Sequence, residues 1–251
     1  MVSLDELVAF LDEELKTSSI SDYSGAMNGL QLANGGQVER IVAAVDASLP
    51  VIQAVAAGGP GLLIVHHGMF WQGAQAVKGA FYRKLKIAMD AGLAVYSSHL
   101  PLDVHPIFGN NILLADAIGL QNPQPFLDHK GIPMGIRGAW AGTRQGLSDA
   151  LAKAVGGPVH LCPGGAEVVE QVGVITGGAG SEVAKVAAAG VDCFVTGEGP
   201  HWSYPLAEEL GVNLFYAGHY ATETFGVKAI ARHLASQHGL PWAFIDHPSG
   251  L

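Results

Sequence analysis

The chain has 251 residues, 49% of them hydrophobic and 14% charged; that is enough to bury a large core without a metal or disulfide staple. Lys plus Arg total 13 against 22 Asp plus Glu, a formal net charge of -9, and the pI is near 5.6, which disfavours a nucleic-acid binder because such a protein needs a basic face. The only cysteines, Cys162 and Cys193, lie far apart with no C-x-x-C spacing, so neither a disulfide framework nor a thiolate zinc site is expected, and Cys193 reads as a small buried hydrophobe.

The N-terminal stretch MVSLDELVAFLDEEL is acidic and amphipathic, without the basic and apolar regions of a signal peptide. The apolar runs that follow are too short and too often interrupted by Gly for a membrane span. A soluble, cytoplasmic protein is expected. Ala-rich helical stretches alternate with Val/Ile/Leu runs, and this alternation predicts an α/β fold. Runs that are apolar throughout predict strands covered on both faces, in a largely parallel sheet.

The first strand begins in VERIVAAVDAS at Val38 and leads to a helix at Leu49-Pro50, with Ser48 as N-cap and Pro in the first turn. LLIVHHG from Leu62 is a second strand that ends in His66-His67. A helix then leads to GLAVYSSHLPLD from Gly92, with His99 and Asp103 just beyond the strand. Pro101 inside HLPLD predicts a loop there. GNNILLADAIGL at Gly109 closes this succession. The segment from about Phe126 to Gly165 has no counterpart and holds a helix near Leu147 to Val155. The succession then repeats as VEQVGVITGGAGS from Val169, a helix from Ser181-Glu182, DCFVTGEG, a further helix, GVNLFYAGHYATE from Gly211 and GVKAIARHLASQHGL from Gly226. His99 precedes Asp103 by four residues, and His219 precedes Glu223 by four. The expected architecture is two similar, interlinked α/β units with mostly parallel sheets, from an internal duplication. Coincidence between two generic βαβ units is the competing reading.

Ligands of parallel α/β sheets bind at the carboxyl ends of the strands. His66, His67, Asp103, His219 and Glu223 all fall at such ends, as do Asp46 and Glu198. Each has an ordinary reading when taken singly. His-His can be a polar edge, Asp103 can cap a turn, Glu223 can complement a helix dipole, and His219 can be a satisfied buried histidine. Jointly they have the composition of a transition-metal site, suited to Zn, Mn, Fe, Co or Ni rather than Ca or Mg. Consecutive side chains on a strand point to opposite faces, so one ion rarely takes both. At a strand end, where Gly68 permits a turn, each histidine could serve a different ion, with a carboxylate bridging the two.

His99, Glu198 and His201 are the candidates for acid–base work. Phe70, Trp71, Trp202 and Tyr220 flank these motifs and could stack a flat base or simply pack. TGGAGSE at Thr176 could cradle a phosphate at a helix start, yet it lacks the Lys of a P-loop and the G-x-G-x-x-G spacing, so a plain tight turn is favoured. No Ser-His-Asp order or nucleophile elbow is present, which disfavours a triad hydrolase.

GLQL at Gly29, VDAS, IVHHGMFW, HLPLD followed by GNN, TGEGPH and GHYATE together resemble the Nif-three-like family, whose members are commonly labelled GTP cyclohydrolase I type 2 homologs. These motifs run from about Ser21 to the C-terminus. The family more often has Pro after the paired histidines, where this chain has Gly68. The resemblance implies a dinuclear centre of two divalent transition-metal ions per subunit. Carried over by position, His67 and Asp103 are ligands of one ion, His66 and His219 of the other, and Glu223 is the bridge. It also implies a toroidal homohexamer. One α/β unit would span 1–126 plus about 217–251 and the other 127–216, without the inserted middle domain of longer relatives. The implied activity is that of a hydrolase using metal-activated water on a small, nucleotide-like substrate. A non-catalytic metal carrier or regulatory ring is the alternative.

Overall fold

The computed structural model describes every residue except Gln72 and Ala74. In chain order the first elements are β1 (Val2–Ser3), α1 (Leu4–Glu14), β2 (Gly29–Leu32), β3 (Gln37–Val38), β4 (Ile41–Asp46), α2 (Leu49–Ala56), β5 (Gly61–His67), α3 (Gly79–Asp90) and β6 (Leu93–Ser97). Then come α4 (Leu100–Asp103), α5 (Asn110–Ala117), β7 (Gln121–His129), β8 (Ile132–Thr143), α6 (Arg144–Val155), β9 (His160–Pro163), β10 (Val168–Val174), a 3-10 turn (Gly180–Glu182), α7 (Val183–Ala188) and β11 (Cys193–Thr196). Last are α8 (Ser203–Leu210), β12 (Asn213–Tyr216), α9 (His219–Thr222), α10 (Thr224–His238) and β13 (Trp242–Phe244). Among the described residues no helix is long and apolar enough to cross a membrane.

These elements form two compact units, Met1–Leu102 with Gly226–His247, and Asp103–Phe225 with Pro248–Leu251. The first is built on a five-stranded sheet of order β13-β4-β5-β6-β2. Its β13/β4, β4/β5 and β5/β6 pairs are parallel, and β2 adds antiparallel to β6. The runs in β4, β5 and β6 are buried almost completely, as strands covered on both faces must be. Val42, Ala44, Leu63 and Val65 pack against Val51, Ile52, Val55 and Ala88 of the covering helices. The Ser48 hydroxyl accepts from Val51 N at 3.4 Å, and Pro50 sits in the first turn of α2. The parallel pairing sets the register of β5, and its carboxyl end delivers His66 into the interior and His67 half-buried beside it.

Gly68 follows directly, for a reason other than turning freedom. A Cβ there would collide with the Gln31 side chain. Gln31 Oε1 accepts from Met69 N and its Nε2 donates to Met27 O, both at 2.6 Å. Gln31 of the GLQL motif thus ties down the residues just past the paired histidines, and its amide fills the space that a side chain at 68 would take.

The second unit has a six-stranded sheet of order β7-β8-β10-β11-β12-β9. Its centre, β10-β11-β12, is parallel and has the same succession and neighbour order as β4-β5-β6, as the repeat predicts. The stretch without a counterpart supplies α6 and the antiparallel strands β7, β8 and β9, so parallel pairing in this sheet is confined to the three central strands. Leu114 and Ala115 of α5 bury with Leu147, Leu151, Val172 and Val195. Val183, Val186, Phe194 and Leu214 form a further cluster. Cys162 and Cys193 are both buried, and burial, with Asp192 adding to it, pushes the Cys193 thiol up to about 12, in keeping with a small apolar residue.

In the second unit α5 packs on β8 and β10, and the α9 turn is hydrogen-bonded to the loops after β10 and β11. In particular, Gly177 N donates to Thr222 Oγ1 at 3.0 Å and Gly218 N to Gly197 O at 3.0 Å. Leu100–Asp103 is a helical turn rather than a loop. Pro101 lies at its second position, where the missing N–H costs nothing.

Two substitutions test this framework by urea unfolding. Leu63→Ala, at a fully buried β5 position, is expected to lose about 2–5 kcal/mol. Gly68→Ala must displace the Gln31 amide and is expected to lose about 0.5–1.5 kcal/mol as its bonds to the Met69 N–H and the Met27 carbonyl weaken. Wild-type stability in Gly68→Ala would contradict the role given to Gln31.

Candidate metal centre

In the first unit three imidazoles gather at the ends of β5 and β6. The ring centroids of His66 and His67 are 4.8 Å apart, those of His66 and His99 4.9 Å, and those of His67 and His99 5.6 Å. One ring nitrogen of each lies within 4.8 Å of the others. In every case Nδ1 faces an oxygen. His66 Nδ1 is 2.9 Å from the Ser98 carbonyl, His67 Nδ1 2.9 Å from Asp46 Oδ1, and His99 Nδ1 2.9 Å from Asp22 Oδ1. Asp46 ends β4 directly opposite His67 in the strand register. A carbonyl or ionised carboxylate only accepts, so Nδ1 carries the proton and the neutral ring keeps its lone pair on Nε2. That is the tautomer of a metal-ligating histidine held by an outer oxygen.

Asp22 is itself enclosed. Besides His99 it accepts from Tyr23 N at 2.7 Å, Asn28 Nδ2 at 2.8 Å and Leu100 N at 3.1 Å. Burial works to raise its pKa, but His99, Asn28 and Tyr23 outweigh it and draw the carboxyl down to about 2. The Trp71 ring meets His99 edge-on at 4.9 Å and lies 5.5 Å from His67.

In the second unit β12 ends at Tyr216, and Gly218 opens the α9 turn that carries His219. His219 Nδ1 is 2.9 Å from Glu198 Oε1, and its Nε2 is 3.0 Å from Glu223 Oε1. Burial disfavours the charged ring, yet Glu223 and then Glu198 outweigh it and push His219 up to about 9. Glu223 is buried at the junction of α9 and α10. A Cβ on Gly177, whose φ is +69°, would run into Glu223 Oε1, and one on Gly197 would lie 2.6 Å from His219 Cα. The glycines of TGGAG and TGEG therefore clear the space that the His219–Glu223 turn fills, which accounts for both as tight turns. Asp103 Oδ1 accepts from Asn110 Nδ2 at 2.8 Å and from Thr176 Oγ1 at 3.3 Å. Thr176 N in turn donates to Asn111 Oδ1 at 2.8 Å.

Of the residues singled out in the sequence, His66, His67 and His99 come together in the first unit, with Asp46 behind His67. His219, Glu223 and Glu198 come together in the second, and Asp103 is held there by Asn110 and Thr176. Glu198 touches His219 directly. His201 is exposed in the turn before α8, and Trp202 is half exposed. Phe70 packs edge-on against Phe81 at 5.5 Å and belongs to packing. Tyr220 is buried. Sequence reasoning gives no site role to Asp22, Asn28 or Asn110, and reads Thr176 only as the start of a tight turn. Asn28 adjoins the GLQL motif and Asn110 lies within GNN, which is a readable signal. Asp22 carries none.

The donors fit a transition-metal ion. Neutral imidazole nitrogens and buried carboxylates are its usual ligands, and His67 and His219 each have a carboxylate on the other ring nitrogen, as such ligands commonly do.

The family model Duf34/NIF3 (NGG1p interacting factor 3) matches residues 2–249. A Deinococcus radiodurans protein named GTP cyclohydrolase 1 type 2 homolog is 39% identical over 252 residues, covering 100% of this chain and 95% of the relative. A Pyrococcus abyssi protein of the same name is 40% identical, covering 98% of this chain and 99% of the relative. A crystal structure of a Thermus thermophilus protein aligns over 100% of both chains with a TM-score of 0.90 and 37% identity. With its paired histidines, its HLPLD-GNN turn and its GHYATE turn placed as described, the chain belongs to the Duf34/NIF3 family.

Proposed function

We propose that this protein is a dinuclear metal-dependent hydrolase acting on a small, nucleotide-like substrate. His67 and Asp103 would hold one ion, His66 and His219 the other, with Glu223 between them. The observation that carries this reading is the shared orientation of four imidazoles: His66, His67, His99 and His219 each have Nδ1 against an oxygen, which commits Nε2 to whatever lies on the other side. When bound, such ions lower the pKa of water and supply a nucleophile near neutral pH. The protein's part is to fix the donors. Asp46 and Glu198 orient His67 and His219, while Asn110 and Thr176 hold one oxygen of Asp103. The relatives named GTP cyclohydrolase 1 type 2 homolog make GTP the first substrate to try. A homohexameric ring is proposed on the family resemblance, and light scattering should then give about six times the 26.0 kDa chain mass; a monomeric mass would contradict it.

Zinc- or cobalt-loaded protein should be screened for hydrolysis of GTP, other nucleotides, phosphoesters and cyclic amides. His66→Ala and Glu223→Ala are each expected to reduce any turnover found by more than about 100-fold while the circular dichroism stays native. Full activity in both variants would refute the reading. Metal binding without turnover of any of these compounds would favour the carrier.

His219 adds a pH dependence. Its folded pKa of about 9 lies above the ordinary 6.5, so its ion pairs contribute stability to the metal-free protein below pH 6.5, which is lost as the pH rises through about 9. An ion taking Nε2 must displace that proton. Apparent affinity for zinc, measured by chelator competition between pH 6 and 8, is expected to tighten by roughly tenfold per unit for this one proton. Affinity independent of pH would show that His219 does not bind the ion.

A further inference from the structure

We propose that Asp22 and His99 form a positioning pair: Asp22 fixes the His99 ring so that its Nε2 accepts a hydrogen bond from the water or substrate group held at the metal centre, and His99 is not itself a ligand. This rests on the metal-centre reading above. It assigns a task to Asp22, a residue outside the ligand set.

The geometry comes from one short segment. Asp22 takes His99 Nδ1 at 2.9 Å and 3.1 Å on its two oxygens. Asn28, six residues on, accepts the His99 backbone N–H at 2.8 Å and donates to Asp22 at 2.8 Å. Ring and backbone of His99 are therefore held by the same loop. The Asp22 side chain is 5% exposed and accepts from four different residues, so it cannot swing away without stranding buried donors. A carboxylate on Nδ1 places the proton there and the lone pair on the opposite nitrogen.

His66 and His67 are consecutive on β5, and the ligand set proposed above gives them to different ions. The His99 ring lies beside both, 4.9 Å from one and 5.6 Å from the other, and one ring nitrogen of each of the three lies within 4.8 Å of the others, close enough for His99 to meet a group held at that centre. Trp71, edge-on at 4.9 Å with an interplanar angle of 82°, and Tyr23 at 5.7 Å flank the ring. Tyr23 is 67% exposed, so this side opens toward solvent, as an acceptor for an incoming group requires.

The test uses the full chain with 15N-labelled histidine and solid-state NMR, with metal content measured in parallel; the signals lost in His99→Gln identify that ring. The expected result is a protonated Nδ1 and an unprotonated Nε2 in His99, the latter unmoved by saturating zinc. His99→Gln should hold as much zinc per chain as wild type. Asp22→Ala should lose the tautomer preference while keeping its zinc, and Asp22→Glu should retain it. Loss of an ion in His99→Gln, a zinc-shifted or protonated His99 Nε2 in wild type, or an unchanged tautomer in Asp22→Ala would each overturn the proposal. If Asp22→Ala does not fold, the zinc content of His99→Gln and the wild-type spectrum still decide the outcome. Wild type that takes up no zinc would instead remove the metal-centre reading itself.

Discussion

A neutral imidazole offers one lone pair, and the hydrogen bond on its other nitrogen decides which atom carries it. In this chain the same solution recurs at His66, His67, His99 and His219, each with Nδ1 against an oxygen: the Ser98 carbonyl, Asp46, Asp22 and Glu198. The oxygens come from a backbone, a strand end and two loops, so no single structural element explains the pattern. What they have in common is the consequence, an Nε2 aimed away from its tether. His219 differs in meeting a second carboxylate, Glu223, on that side, and is drawn toward its charged form.

The fold serves this constraint by ending apolar strands at the right residue. The pairing of β4, β5 and β6 sets the register, and a shift by one would turn His66 and His67 each to the other face. Asp46 therefore stands opposite His67 by strand pairing alone. In the second unit the same parallel core ends in loops made narrow by Gly177 and Gly197, where any side chain would meet Glu223 or His219. Gly68 does similar service for Gln31. The glycines near the candidate centre are thus explained by what they make room for.

The parallel cores, the repeat and the clustering of His and acidic residues at strand ends are legible in the sequence because they follow from local rules: unbroken apolar runs, and ligands at strand carboxyl ends. The helical turn at Leu100–Asp103 is not legible in the same way, because Pro101 reads as a breaker although its position in a first turn is permitted. Where Leu114 and Ala115 of α5 bury is a tertiary choice that no local pattern records. Asp22 is the clearest omission. It reaches His99 across 77 residues of sequence, and nothing in a polar stretch such as SDYSGAMNGLQL marks which carboxylate will be buried.

The central claim is that these donors exist to hold two ions, and metal analysis of the purified, saturated wild-type chain tests it most directly. The account predicts two equivalents of a divalent transition metal per chain. One equivalent or fewer would contradict it.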